Sequence, residues 1–176
     1  MSDQEAAGAA GAAFDDPVSP WPNRAGVRPS LGEIGLNQFA PYLINRISLS
    51  WNTHLADALK AHEMTTTKMR ALAILSISSP VTINELSLYA LTEQSTMSRT
   101  LDSLEEQDYI RRRPRAEDLR VRDVELTQKG REAFARVWPM MYDLLLKMLD
   151  GIDNEEYKAF TATLHKIIQN IRKHDI

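Results

Sequence analysis

The sequence predicts a mainly α-helical chain with one small β-hairpin, on three observations. From Leu36 onward, apolar residues recur every three and four positions over most of the chain, as in helices with one buried face. Between Tyr109 and Leu126 that period gives way to two short alternating segments around a polar stretch, which reads as a hairpin. The two helices before the hairpin are separated only by Leu91 to Gln94. Short helices joined so tightly cross steeply, which is the helix-turn-helix layout.

The elements follow in order. Residues 1–30 are set apart by "AAGAAGAA" and by Pro17, Pro20, Pro22 and Pro29, and read as a disordered arm with Trp21 as a possible anchor. The first helix carries Leu36, Phe39, Ala40, Leu43, Ile44, Ile47, Trp51, Leu55, Ala58 and Leu59 on one face. Asn37 is its expected cap, and Pro41 falls in the first turn, where its missing N–H costs little. A second helix starts at Thr65 or Thr66, carries Met69, Leu72, Ala73 and Leu75, and stops before Ser78-Ser79-Pro80. The third begins near Thr82 or Ile83 and turns Leu86 and Tyr89 or Ala90 inward. The fourth, capped by Thr92 or Ser95, buries Met97, Leu101 and Leu104. Tyr109–Arg113 and Val121–Leu126 form the hairpin strands. A long helix spans about Thr127 to Leu149, bent near Pro139 and ended by Gly151. The last helix opens on Asp153-Asn154-Glu155-Glu156, a capping box with Asp in place of Ser or Thr, and lines Tyr157, Phe160, Leu164, Ile167, Ile168 and Ile171 along one face.

Composition narrows the function. The chain has 176 residues, which suits one domain, or one domain plus a tail, and no cysteine, so disulfides, thiolate zinc sites and thiol-based peroxide sensing are excluded. No stretch approaches the roughly 20 apolar residues of a membrane span, and the N-terminus lacks the basic-then-apolar pattern of a secretory signal. A cytoplasmic location is the expectation. His54, His62, His165 and His174 make no metal-ligand cluster. Glu105-Glu106 and Glu155-Glu156 read as helix-surface pairs, no glycine-rich phosphate loop occurs, and nothing marks an activated nucleophile. No enzyme, cofactor or metal is expected. Met140, Met141 and Met148 read as core fillers.

Against a formal net charge of -3, residues 109–122 concentrate six arginines, Arg111, Arg112, Arg113, Arg115, Arg120 and Arg122, against two acids, Glu117 and Asp118. A hairpin directly after a helix-turn-helix is a wing. The second helix fits the major groove of duplex DNA while the wing lies along the phosphates or in the minor groove. Gln94, Ser95, Thr96, Ser98 and Arg99 supply polar contacts at the N-terminal end of that helix. Strand alternation places Arg111 and Arg113 on one face and Arg112 on the other, so only one set can face DNA. The competing reading is a winged-helix module whose arginines pair with an acidic protein.

From about Leu36 to Ile171 the chain resembles a MarR-family winged helix-turn-helix transcriptional regulator. Asp118-Leu119-Arg120, five residues, then Leu126-Thr127-Gln128-Lys129-Gly130 is similar to the family's wing signature D-x-R-x5-L-T-x-x-G, and "ELSLYALTEQSTMSRTLDSLEEQDYIRRR" resembles the preceding helix-turn-helix. "MTTTKMRALAIL" resembles the family's second helix. Leu91 and Asp108 stand where the family often has glycine. Asp tolerates the left-handed conformation better than most residues. The resemblance implies that Asp118 and Arg120 interact at the wing tip, with Arg120 reaching the minor groove; Arg112 and Arg113 are expected to add smaller, salt-sensitive contributions to DNA binding. It also implies a homodimer held by the first and last helices and a ligand pocket between dimerisation and DNA-binding parts.

The expected organisation is therefore a helical dimerisation region over 31–64 and 148–176 and a winged helix-turn-helix over 65–147, the latter including the long connecting helix. The stripe of the last helix has two readings, intrachain core or dimer interface, and the interface is favoured. The expected function is a repressor relieved by a small ligand and acting on a palindromic operator. Family members often answer to aromatic acids and phenolic compounds, and Arg46, Trp51, His54 and Arg70 are the candidates to hold such an anion. The simpler reading of those four has Trp51 in the core and the arginines in ion pairs.

Overall fold

The computed structural model describes residues 19–115, 118 and 120–174. Most of the expected arm lies outside the described residues. Where the description begins, Trp21 is exposed, and Asn23 Oδ1 accepts the N–H groups of Ala25 and Val27 at 3.0 Å, closing a turn. Among the described residues there are seven α-helices and three strands. They fall into two units, Met1–Asp57 and Ala58–Ile176.

The first unit holds α1 (Leu31–Ile34), a 3-10 turn (Leu36–Gln38) and most of α2 (Ala40–Lys60). The sequence reading missed α1. Its basis is a capping box in which Glu33 accepts the Ser30 N–H at 2.7 Å while Ser30 Oγ accepts that of Glu33. The hydrogen bonds from the Ser30 side chain and backbone hold the Glu33 carboxyl below its ordinary pKa. α2 begins at Ala40, so Asn37 is a 3-10 residue and not its cap. Pro41 does fall in the first turn. Of the long apolar face only Leu55 and Leu59 are buried, while Phe39, Ile44 and Ile47 are exposed.

The second unit contains α3 (Thr66–Ile77), β1 (Val81–Thr82), α4 (Ile83–Tyr89), α5 (Gln94–Glu106), β2 (Ile110–Pro114), β3 (Arg122–Leu126), α6 (Gln128–Met148) and α7 (Asn154–His174). Thr65 caps α3 by accepting the Lys68 N–H, so the helix begins at Thr66, one of the two expected starts. α3 packs against α4, α5, α6 and β3. The core is Leu72, Leu75, Leu86, Met97, Leu101, Leu104, Ile110, Val124 and Val137, all essentially inaccessible to solvent. Each such side chain stabilises by about 1.5–3 kcal/mol relative to exposure.

The sheet is antiparallel in the order β1-β3-β2, with Val124 opposite both Val81 and Arg112. The hairpin was expected, but β1 was not, because two residues show no periodicity. Its pairing with β3 adds a second neighbour to the wing, and Ser79 Oγ accepts the Leu126 N–H at 3.3 Å beside it. α6 continues unbroken through Pro139, which leaves the Ala135 carbonyl without its helical donor. α7 is capped as expected, Asp153 accepting the N–H groups of Glu155 and Glu156 while Glu156 accepts that of Asp153 at 2.9 Å. No residue of α7 is buried.

Candidate nucleic-acid interface

Three backbone devices build the surface formed by α4, α5 and the hairpin. Thr82 and Glu85 form a reciprocal capping box that starts α4, and the Thr82 backbone and hydroxyl bonds keep the Glu85 carboxyl below its ordinary pKa. The chain then reverses through Leu91 at φ 52°. This is the position where the resemblance led one to expect glycine. A leucine there carries the steric cost of the left-handed region, about 1–2 kcal/mol. α5 follows from Glu93, which makes no side-chain cap, so neither Thr92 nor Ser95 caps it. Asp108, at φ 58°, makes the corresponding reversal before β2.

At the wing's base the L-T-x-x-G residues do separate work. Leu126 is buried in the core. Thr127 caps α6, accepting the Gly130 N–H at 3.0 Å, while its hydroxyl donates to the Asp108 carbonyl at 2.7 Å. A Cβ on Gly130 would collide with the Tyr109 carbonyl and lie 2.7 Å from Leu126 Cδ1, so only glycine lets α6 start this close to β2.

The arginines divide by role. Arg112, only 16% exposed, reaches under the wing to α5, where its guanidinium meets Asp102 at 2.7 Å and Glu105 at 2.6 Å. Its backbone N–H also donates to Glu105 at 2.9 Å. Partial burial works against ionisation of Glu105, but the Arg112 side-chain and backbone hydrogen bonds outweigh it and hold that carboxyl below its ordinary pKa. Burial likewise opposes the Arg112 charge, and the two carboxylates override it and raise the guanidinium pKa. Arg112 is therefore an internal clasp, and the expected salt-sensitive contribution to DNA binding is corrected: its guanidinium is already paired with Asp102 and Glu105. Arg111 and Arg113 do share the other face, beside Glu125 and Arg131. Arg113 lies 3.6 Å from Glu125, a loose and exposed pair. Arg115 holds Asp123 through Nε and Nη2, at 2.6 Å for the shorter contact.

At the tip, Asp118 Oδ1 accepts the backbone N–H of Arg120 at 3.0 Å, and the Asp118 carbonyl accepts from Val121 at 3.0 Å. The interaction between Asp118 and Arg120 thus runs through the main chain, shaping the turn that carries an exposed Arg120. On α5, Met97, Leu101 and Leu104 face inward, which leaves Ser95, Thr96 and Arg99 exposed and Ser98 half-buried. Gln94 is exposed and donates to Asn84 Oδ1 at 2.8 Å. Asn84 and Gln94 line a cleft with Arg120 and Arg122. The sequence reading singled out Gln94 but not Asn84, whose only signal was an amide at the start of the preceding helix.

Of the ligand candidates, Arg46, Trp51 and His54 belong to the first unit and Arg70 to the second. Arg46 and His54 are exposed on α2, Trp51 is half-buried, and His54 Nδ1 lies 2.8 Å from the Ser50 carbonyl. Arg70, in the second unit, donates to the Ala90 carbonyl at 3.3 Å.

Comparison with known proteins places this arrangement. A model of the MarR family matches residues 62–120. The crystal structure of a MarR-family transcriptional regulator from Silicibacter pomeroyi is 43% identical, with a TM-score of 0.77, over 84% of this chain and all of that one. The repressor IacR of Pseudomonas putida, an HTH-type transcriptional repressor, is 22% identical over 81% of this chain and 86% of its own length. The S. aureus MepR–DNA complex shares the fold at 21% identity and a TM-score of 0.65, over 74% of this chain and 96% of that one.

Proposed function

Because this chain belongs to the MarR family, and is thus a DNA-binding transcriptional regulator with a winged helix and not a member of an enzyme family, we propose that it acts as a homodimeric repressor relieved by a small ligand. The observation that carries the DNA-contacting part is the division of the wing arginines. Arg112 is committed to joining wing and α5, while Ser95, Thr96 and Arg99 stay exposed on α5 and an exposed Arg120 at the tip lines one cleft with Gln94. In this reading α5 occupies the major groove and Arg120 the minor groove, where narrow A·T-rich stretches attract arginine. Arg113 and Asp118 complete the wing contact, Asp118 by holding the turn.

The dimer is assigned to the regions 31–64 and 148–176, supported by the apolar faces of α2 and α7 that the single chain leaves uncovered. Two recognition helices in a symmetric dimer then address half-sites of a palindrome about 34–36 Å apart. Relief is assigned to an aromatic or phenolic anion with Arg46, Trp51, His54 and Arg70 as candidate contacts. By linkage, such a ligand binds free protein more tightly than DNA-bound protein.

A salt titration of duplex binding tests the central claim. Arg120→Ala is expected to weaken binding and to lower the salt slope by about one. Asp118→Ala removes a negative charge, so electrostatics alone would tighten binding, whereas loss of the turn bond weakens it. Tighter binding by Asp118→Ala would reduce the wing to a charged surface. Binding to acidic protein without binding to duplex would favour the interaction-module reading.

A further inference from the structure

Asn84 is the second residue of α4 and Gln94 the first of α5, and both side chains are exposed. They are nonetheless bonded to each other, Gln94 Nε2 donating to Asn84 Oδ1 at 2.8 Å. Water would satisfy an exposed amide about as well, so the bond adds little stability. Its consequence is orientation. A glutamine amide has two N–H donors and one carbonyl acceptor, and rotation by half a turn exchanges them. With one N–H engaged by Asn84, Gln94 presents its second N–H beside Oε1 as a donor–acceptor pair.

That pair complements one base edge. In the major groove adenine offers the N6–H donor and the N7 acceptor side by side, while guanine offers two acceptors, O6 and N7. The surroundings favour a duplex at this place, since the cleft lined by Asn84 and Gln94 also carries Arg122, a cation suited to its phosphates, and Arg120, assigned above to the adjacent minor groove, against one carboxylate, Glu85. We infer that Gln94 reads an adenine in each half-site and that Asn84 is its positioning residue. This rests on the placement of α5 in the major groove proposed above. Gln94 Oε1 accepts from adenine N6–H, and the free Nε2–H donates to N7.

The test uses the full chain and selection from a random duplex library, followed by binding to the selected site and its single-base variants. Wild type is expected to require adenine at one position per half-site, with Gln94→Ala lowering that discrimination about tenfold or more. Replacing that adenine by 7-deazaadenine removes the N7 acceptor, and should weaken wild type while leaving Gln94→Ala unchanged. Asn84→Ala frees the amide to rotate and should relax the preference to adenine or guanine. Asn84→Asp keeps the acceptor, so it should restore the adenine preference while its charge weakens binding to every sequence, which a merely structural role for Asn84 would not do. Adenine preference that survives Gln94→Ala, or indifference of wild type to 7-deazaadenine, overturns the assignment. Failure of wild type to bind any duplex would instead remove the groove placement itself. Arg120-dependent binding with Gln94 indifferent would remove only this inference.

Discussion

α5 and α7 are both amphipathic helices with an apolar stripe at helical spacing, yet the chain treats them in opposite ways. The stripe of α5, Met97, Leu101 and Leu104, is completely buried under α3, α4 and the wing. The stripe of α7, with Phe160, Ile168 and Ile171, is 43–49% exposed at those three positions. The difference teaches what amphipathicity specifies. It marks a face that must be covered, and not whether this chain or another copy covers it. α5 also gains two charged contacts to the wing through Arg112, so its outward face is held in place while its inward face is buried.

The sharpest way to break the comparison is to remove α7. Truncation after Asp150 should leave the second unit's core residues present but abolish the proposed dimer, giving a monomeric or unfolded chain in sedimentation. A well-folded dimer of that truncation would mean that α7 is not the interface.

Next in size comes the base of the wing. Gly130→Ala forces a methyl into the Tyr109 carbonyl and should destabilise by about 1–3 kcal/mol, read from the urea midpoint. A change below about 0.5 kcal/mol, the range of ordinary surface substitutions, would show that α6 and β2 can part freely.

The Arg112 clasp should contribute less, about 1 kcal/mol, because Asp102 and Glu105 are 56% and 39% exposed and water screens them. Its pH dependence has a definite sign. The Glu105 pKa is lowered in the folded state, so the stabilisation is present above the ordinary value of 4.5 and lost as pH falls through the folded value. The stability gap between wild type and Arg112→Ala should therefore be full at pH 7 and shrink below that value. Thermal melts that keep the same gap at pH 3 would count against the clasp. Arg120→Ala, by contrast, should leave stability unchanged.

The smallest expected effect has the opposite sign. Leu91→Gly relieves a left-handed leucine that is 85% exposed and should stabilise by up to about 1 kcal/mol. Asp108→Gly should gain less, since Asp adopts that conformation more readily. A destabilised Leu91→Gly variant would show that the side chain contributes something that outweighs its strain.

Legibility in the sequence follows the range of the interaction. The Asp153 capping box, Thr65 at the start of α3 and the Thr127 position all follow from contacts within four residues, and each was readable. β1 was not, because two residues carry no period and Val81 is a strand only by virtue of Val124 across the sheet. α1 was missed although its Ser30–Glu33 box is local, since the proline-rich surroundings suggested an arm throughout. At the interface, Gln94 and Arg99 were apparent from helix position, whereas the Asn84 partner depends on how two helices cross.

By itself, then, the sequence determined that this chain is helical with a hairpin, that the hairpin is a wing, and that the wing is arginine-rich. Those conclusions rest on periodicity, caps and signature spacing, all of which act along the chain. Only the tertiary structure decided which arginines are available. Arg111, Arg112 and Arg113 are consecutive and chemically identical, but pleating alternates their sides, and only packing put Asp102 and Glu105 within reach of the middle one. A charge counts toward a partner only if the fold has not already paired it, and pairing between residues seven to ten positions apart is set by how α5 meets the wing.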